Sequence, residues 1–285
     1  MRMTRTKTRI TKTTKTKKTA PKTMSCNDMD HVYDIEFFDE IDSTNSEAKR
    51  RIESGKYCNV PECRPFILAA HSQTAGRGRQ GKSFYSPKGT GVYLTAACPM
   101  DCSIASQVTL TSKAAVAVSR AIEGYFGIEC SIKWVNDIYV NDRKCCGILC
   151  EAINDYEHDR LRYVIVGVGV NVSTAEWPDE IAQTAGSLRK EPLGDEEFTG
   201  FAHRLADEIL KVIYEPAGDE MEYYRNHSCV IGNEITFSEK SEDGMKMYNA
   251  RAVGIDENGG LIVQVNDRET RTLDSGEITV RVPKM

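Results

Sequence analysis

No apolar run in this chain approaches the roughly 20 residues that a membrane-spanning helix needs, and no apolar signal-peptide segment follows its basic start. The sequence therefore predicts a protein that does not enter a membrane. None of the ten cysteines forms a CxxC pair: Cys98 lies near Cys102, and Cys145 and Cys146 lie near Cys150, without the ligand spacing of a structural zinc site. They form no regular framework either, which in a chain this long predicts reduced, buried thiols in a cytoplasmic setting rather than a disulfide scaffold. There is no sizeable internal repeat. Acid is missing altogether from residues 1–24, which hold nine Lys or Arg.

The formal net charge is −5, so setting those nine cations aside leaves −14 on the remainder. An acidic body argues against a nucleic-acid-binding core. Residues 1–26 are Lys- and Thr-rich with almost nothing apolar to bury, and read as a disordered tail. Loose nucleic-acid contact, organelle targeting or no role at all stay open for it. At 285 residues, 40% hydrophobic and 28% charged, the rest has room for one large soluble domain, residues 27–228, and a small one, residues 229–285.

What organises the chain is residues 71–95, HSQTAGRGRQGKSFYSPKGTGVYLT. Gly76, Gly78 and Gly81 space out Arg77, Arg79 and Lys82 between two apolar runs of strand character, residues 66–70 and 92–97. Glycine lets backbone approach a ligand closely, and the arginine fork matches carboxylate or phosphate. Such a loop is an anion clamp or a solvated basic loop, and only a second motif can decide between them.

Residues 33–38 read as a strand, followed by a helix opened by Asp42-Ser43-Thr44-Asn45. Thr44-x-x-Glu47 has the form of a capping box and Gly55 suits the far end. The N-terminal N–H groups of that helix could also meet a polar ligand beside Ser43, Thr44 and Asn45. A long helix is predicted over 103–126, with short β-type runs at 132–135, 138–140, 147–153 and 163–172 and a tight turn at Asn141-Asp142. Helices at 197–214 and 220–226 would cover the sheet. Five short strands at 235–237, 250–255, 261–265, 270–273 and 278–282 suit a small barrel.

The second motif is Lys133-Trp134-Val135-Asn136-Asp137-Ile138. It puts a lysine on a half-buried strand, which is costly unless a carboxylate such as Asp137, or a ligand anion, pairs with it. Gly147-Ile148-Leu149-Cys150-Glu151 and Gly167-Val168-Gly169-Val170-Asn171 look like strand ends that face a ligand, because strand glycines leave room for a close approach. They lack the third glycine and following helix of a dinucleotide-binding fingerprint.

In order, DSTN, QxAGRGRxG, KWxNDI, GILxE and GxGxN resemble the biotin–protein ligase family over about residues 33–285. Val135 stands where that family commonly has proline, and Phe84 where tryptophan is common. The resemblance implies an α+β fold, with a mixed, largely antiparallel sheet packed with helices and a small C-terminal SH3-like barrel. It implies an ATP-dependent ligase that forms biotinyl-5'-AMP and passes biotin to a lysine of a biotin carboxyl carrier domain, with Mg2+ neutralising the triphosphate. On that resemblance Ser43, Thr44, Asn45 and Gln73 would meet the biotin head group or nearby backbone. Gly76 and Arg77 would cover biotin and its carboxylate, Arg79 and Lys82 the phosphate side, and Lys133 would bridge carboxyl and α-phosphate. Gly147, Gly167 and Gly169 would line the floor, Asn171 would read the adenine edge, and Trp134 would flank the adenylate or pack. Asn136, Asp137 and Lys144 fit the phosphate or metal side. A lipoate–protein ligase and a non-catalytic biotin or nucleotide sensor are the rivals. Operator DNA binding is not expected, and a homodimer is plausible only by analogy of fold. The whole reading requires Arg77 and Lys133 to converge on one cavity.

Overall fold

Side chains alternate across a strand, and in this chain the alternation separates a face covered by three helices from one that a single helix covers in part. The computed structural model describes residues 33–55, 64–104, 109–241, 244–274 and 278–280, so the basic tail lies outside the described residues. Strands β1 (Asp34–Phe38), β2 (Phe66–Ala70), β3 (Gly91–Ser103), β4 (Ser131–Lys133), β5 (Asp137–Val140), β6 (Arg143–Asp155) and β7 (Arg160–Asn171) form one sheet in the order β1-β2-β3-β7-β6-β5-β4. β1 and β2 pair in parallel and every other neighbour is antiparallel. This is the mixed, largely antiparallel α+β sheet that the sequence implies.

Helices α2 (Leu110–Phe126), α3 (Asp195–Tyr214) and α4 (Glu220–Asn226) belong to the main core, while α1 (Thr44–Glu53) covers part of the opposite face. Ile67, Ala69, Leu94, Val164 and Val166 point into the main core with Phe201, Leu205 and Ile209 of α3. Each fully buried Ile, Leu, Val or Phe among them contributes about 1.5–3 kcal/mol. On the other face, Ala48 and Ile52 of α1 pack on Phe66, Leu68, Ala97 and Ile165. The second sheet is antiparallel, with β8 (Glu234–Ser241), β9 (Gly244–Ile255), β10 (Leu261–Asn266), β11 (Glu269–Leu273) and β12 (Ile278–Val280) in the order β11-β10-β9-β8-β12. All five strands of the expected small barrel are there, with β11 and β12 outermost, and Ile235, Phe237 and Val263 join the main core.

Several strands run longer than expected, and three helix readings shift. The helix expected from residue 103 starts at Leu110, because Ser103 still belongs to β3 and pairs with Arg160 beyond an irregularity between Pro99 and Cys102. Pairing with the long β7 outweighs the helical spacing there. The N-cap of α1 is Ser43 rather than Thr44: Ser43 accepts from the Ser46 amide at 3.4 Å, and Glu47 turns to Arg50 and Arg51 instead of closing a box. α3 begins at Asp195, two residues early. The predicted hairpin turn holds, with Asn141 and Asp142 both at positive φ (50° and 59°), as a two-residue connection between antiparallel strands requires.

Candidate active site

The face of the main sheet away from α2 and α3 carries Tyr93 and Thr95 of β3, Gly167, Gly169 and Asn171 of β7, and Gly147, Leu149 and Glu151 of β6. The register sets Gly169 between Tyr93 and Gly147, and Gly167 between Thr95 and Leu149. A Cβ on Gly167 would stand 2.0 Å from Asn45 Oδ1, and one on Gly169 or Gly147 would stand 2.4 or 2.9 Å from the Phe84 ring. The glycines therefore make room first for two protein side chains, one from α1 and one from the end of the Gly/Arg loop. Both form part of the wall of a cavity of about 430 Å3.

The loop folds back on itself. Gly78 N–H donates to Lys82 O at 2.7 Å and Phe84 N–H to Gly76 O at 2.9 Å, around a single turn at Arg79–Gly81. Gly76 is needed for this closure, since a Cβ there would sit 2.3 Å from Phe84 O. Polar links then run from the loop through the sheet to α1. Thr44 donates its N–H (2.9 Å) and hydroxyl (3.1 Å) to Gln73 Oε1, and Gln73 Nε2 donates to Ser86 Oγ at 3.1 Å. Buried Thr95 donates to Asn45 Oδ1 at 2.6 Å, which fixes the amide so that Nδ2 donates to Glu151 Oε2 at 3.1 Å. Glu151 also accepts from Lys49 at 2.7 Å and from both terminal nitrogens of Arg77 at 3.0 and 3.1 Å. Burial pushes the Glu151 pKa up, but hydrogen bonds from Lys49 and Asn45, with the charges of Lys49 and Arg77, outweigh it and hold the carboxyl below the usual glutamate range.

Arg77, Arg79, Lys82 and Lys133 all line the cavity, so the required convergence is present. Lys133 Nζ donates to Tyr139 OH at 3.4 Å and has no carboxylate partner among the described residues. Asp137 is its cross-strand neighbour, yet its buried Oδ1 is contacted instead by Lys144 Nζ at 2.7 Å, off the hydrogen-bonding direction. Asn136 accepts from Arg79 at 3.1 Å and donates to Ile148 O at 2.7 Å. Trp134 is buried, and its Nε1 donates to Gly259 O at 2.8 Å in the β9–β10 turn, so the indole ties the two sheets together. The Trp134–Val135 peptide is cis, and Tyr224 OH of α4 donates to Val135 O at 3.0 Å, which ties down the position where the family commonly has proline. Ile278 and Thr279 of β12 complete this wall.

Of the residues singled out in the sequence, Ser43, Asn45, Gly147, Gly167 and Gly169 line the cavity, as do Trp134, Asn136, Asp137 and Lys144. Thr44, Gln73 and Gly76 are absent from its lining and serve the polar links and the loop closure. Asn171 is buried farther along β7, outside the lining, and its Oδ1 has no hydrogen-bond partner among the described residues. Glu151, Lys49 and Thr95 are functional residues to which the sequence reading assigns no role. Lys49 lies four residues after Asn45, on the same face of α1, and Glu151 shares the strand face of Gly147. Both signals were present. Among the described cysteines, burial pushes the Cys145 thiol up to about 11 and that of Cys150 up to about 12, and no metal-ligand cluster occurs among the described residues.

Comparison with known proteins follows the same outline. The family model described as Biotin/lipoate A/B protein ligase family matches residues 38–171, and the one described as Biotin protein ligase C terminal domain matches residues 230–281. The chain is 31% identical over 247 residues to the bifunctional ligase/repressor BirA of Bacillus subtilis (strain 168), covering 81% of this chain and 69% of that protein. It is 27% identical over 243 residues to the biotin–[acetyl-CoA-carboxylase] ligase of Mycobacterium tuberculosis, covering 83% and 85%. Among solved structures, the biotin protein ligase from Aquifex aeolicus in complex with biotin and ATP is similar at a TM-score of 0.63 and 26% identity, over 87% of this chain and 98% of that one.

Proposed function

The chain belongs to the biotin protein ligase family, and on that premise we propose how its residues divide the work of ATP-dependent biotin ligation. Biotin's carboxylate attacks the α-phosphorus of ATP; a new O–P bond forms, the bond to pyrophosphate breaks, and biotinyl-5'-AMP results. The amine of a carrier lysine then attacks the acyl carbon, and AMP leaves with the former carboxyl oxygen. Both steps bring negative charge together, so the site must supply fixed positive charge. The convergence of Lys133 with Arg77, Arg79 and Lys82 on one cavity carries this reading.

Lys133 is the cation assigned to the bridging position between carboxylate and α-phosphate, and acts electrostatically in both steps. Arg79, oriented by Asn136, serves the phosphate side with Lys82, while Arg77 covers the biotin carboxylate. Ser43 and Asn45 present polar atoms to the biotin end, and Thr44, Gln73 and Gly76 hold that end in shape. Asn171 is assigned to the adenine edge on its unpartnered amide oxygen, and Trp134 is assigned to packing. Mg2+ would accompany the triphosphate and neutralise part of its charge. Asp137 is the carboxylate that lines the cavity among the described residues, and one carboxylate with phosphate oxygens is an ordinary Mg2+ environment.

The partner is a biotin carboxyl carrier domain and the setting cytoplasmic. No helix among the described residues is long and apolar enough to cross a membrane. The direct test is incubation with biotin, ATP, Mg2+ and a carrier domain, followed by intact-mass measurement of the carrier. One added biotinyl group is expected, and its absence would overturn the assignment. Parallel incubation with lipoate separates the two ligase classes: pyrophosphate release with lipoate but not biotin would reverse the substrate.

A further inference from the structure

Glu151 holds two cations where one would neutralise it. Lys49 contacts Oε1 at 2.7 Å, and Arg77 grips both oxygens at 3.0 and 3.1 Å, while Asn45 adds a neutral donor. The two cations differ in where they sit. Lys49 is on α1 and outside the lining of the cavity, whereas Arg77 is on the loop, lines the cavity, and leaves 39% of its side chain exposed. The guanidinium fork fits any carboxylate equally well, so biotin's carboxylate competes with Glu151 for Arg77 like for like. If Arg77 moves, Glu151 keeps Lys49 and Asn45 and is not left as an unpaired, partly buried charge.

We propose that Glu151 is a positioning residue that holds Arg77 while the pocket is empty and releases it to the carboxylate of biotin, with Lys49 remaining behind as the counter-ion that permits the release. The proposal rests on the ligase reading and adds two residues to it. Its consequence is specific: Lys49, which never meets the substrate, controls how readily biotin is captured. Removing Lys49 makes Arg77 the sole cation on Glu151 and traps it there. Removing the Glu151 charge as well frees it again. A plain structural strut would behave otherwise, since two lesions in one network would do at least as much harm as one.

The test is steady-state pyrophosphate release, with biotin varied, for the wild type, Lys49→Gln, Glu151→Gln and the double variant. Lys49→Gln is expected to raise the biotin KM about tenfold while kcat stays within about twofold, the pattern of lost ground-state binding. Adding Glu151→Gln is expected to bring KM back toward the wild-type value. An unchanged KM in Lys49→Gln, or a double variant as poor as the single, overturns the proposal. Hydrogen exchange of the amides of residues 76–84 in the empty Lys49→Gln protein gives a second readout that leaves Glu151 intact. Slower exchange than in the wild type is expected, and equal or faster exchange overturns the proposal. Absence of pyrophosphate release by the wild type would instead remove the ligase reading, and this proposal with it.

Discussion

The two ends of the cavity are built on opposite plans. At the α1 end the polar side chains are paired: Glu151 takes Lys49 and Arg77, Asn45 is fixed by Thr95, and Gln73 is fixed by Thr44 and Ser86. At the β4–β5 end, Lys133 is met among the described residues by Tyr139 and by no carboxylate, and the nearby Asp137 is given to Lys144. The first end is shaped before the ligand arrives, with Arg77 the one member proposed to leave its partner. The second keeps a cation without a counter-charge among the described residues, and such a cation is worth most where two anions must meet. The prediction that follows is a division of labour. Lesions at the first end should cost stability and shape, and lesions at the second should cost rate.

The largest effect tests the second half of that contrast. Lys133→Ala is expected to lower the rate of pyrophosphate release about 10²–10³-fold, the usual loss for removing one preorganised charge-stabilising donor, with little change in thermal midpoint. A variant that keeps near-normal pyrophosphate release removes Lys133 from the chemistry, and one that melts early erases the contrast. Next comes the packing between the two ends. Gly169→Ala would drive a methyl to within 2.4 Å of the Phe84 ring, and overpacking of this kind costs about 1–3 kcal/mol. Chemical denaturation should show that loss, and adding Phe84→Leu should recover part of it. If the second change recovers nothing, Phe84 is not what the glycine accommodates.

Much of this contrast could be read from the residues in order. The Gly/Arg loop and the KWVND segment announced an anion site because their residue types have few other uses in such company, and both line the cavity. The alternate glycines Gly167 and Gly169 announce a strand face that something must approach closely. What the sequence could not show was which side chain each strand glycine makes room for. Gly167 and Gly169 fit Asn45 and Phe84, which lie more than 80 positions away in the chain, and only the register of β3, β7 and β6 brings them together. The same limit hid Glu151. Its neighbours Lys49 and Arg77 come from a helix and a loop, and no local spacing joins the three. The false start of α2 has the same origin: helical periodicity is local, whereas the pairing of Ser103 with Arg160 is not.

A smaller loss should follow from Thr95→Val. It keeps the shape at a fully buried site but withdraws the proton that Asn45 Oδ1 accepts. An unsatisfied buried acceptor of this sort costs about 1–2 kcal/mol, and equilibrium unfolding measures it. Pyrophosphate release at saturating biotin should fall far less than in Lys133→Ala. Equal losses of rate would mean that the two ends do not divide the work.

The smallest effect concerns acid. The Glu151 carboxyl is held below the usual glutamate range in the folded protein, so the folded state binds this proton less readily than the unfolded one. Its contribution to stability is therefore complete above the unfolded glutamate pKa and is lost as pH falls through the lower, folded value. The difference in denaturation midpoint between the wild type and Glu151→Gln should be level near neutrality and narrow on acidification through that window. Lys133 has no carboxylate partner among the described residues, so the difference between the wild type and Lys133→Ala should show no such narrowing. A Glu151→Gln difference that stays level throughout would mean that Lys49, Asn45 and Arg77 do not favour the charged carboxylate in the folded chain, and the two ends of the cavity would then be alike in the respect on which their contrast depends.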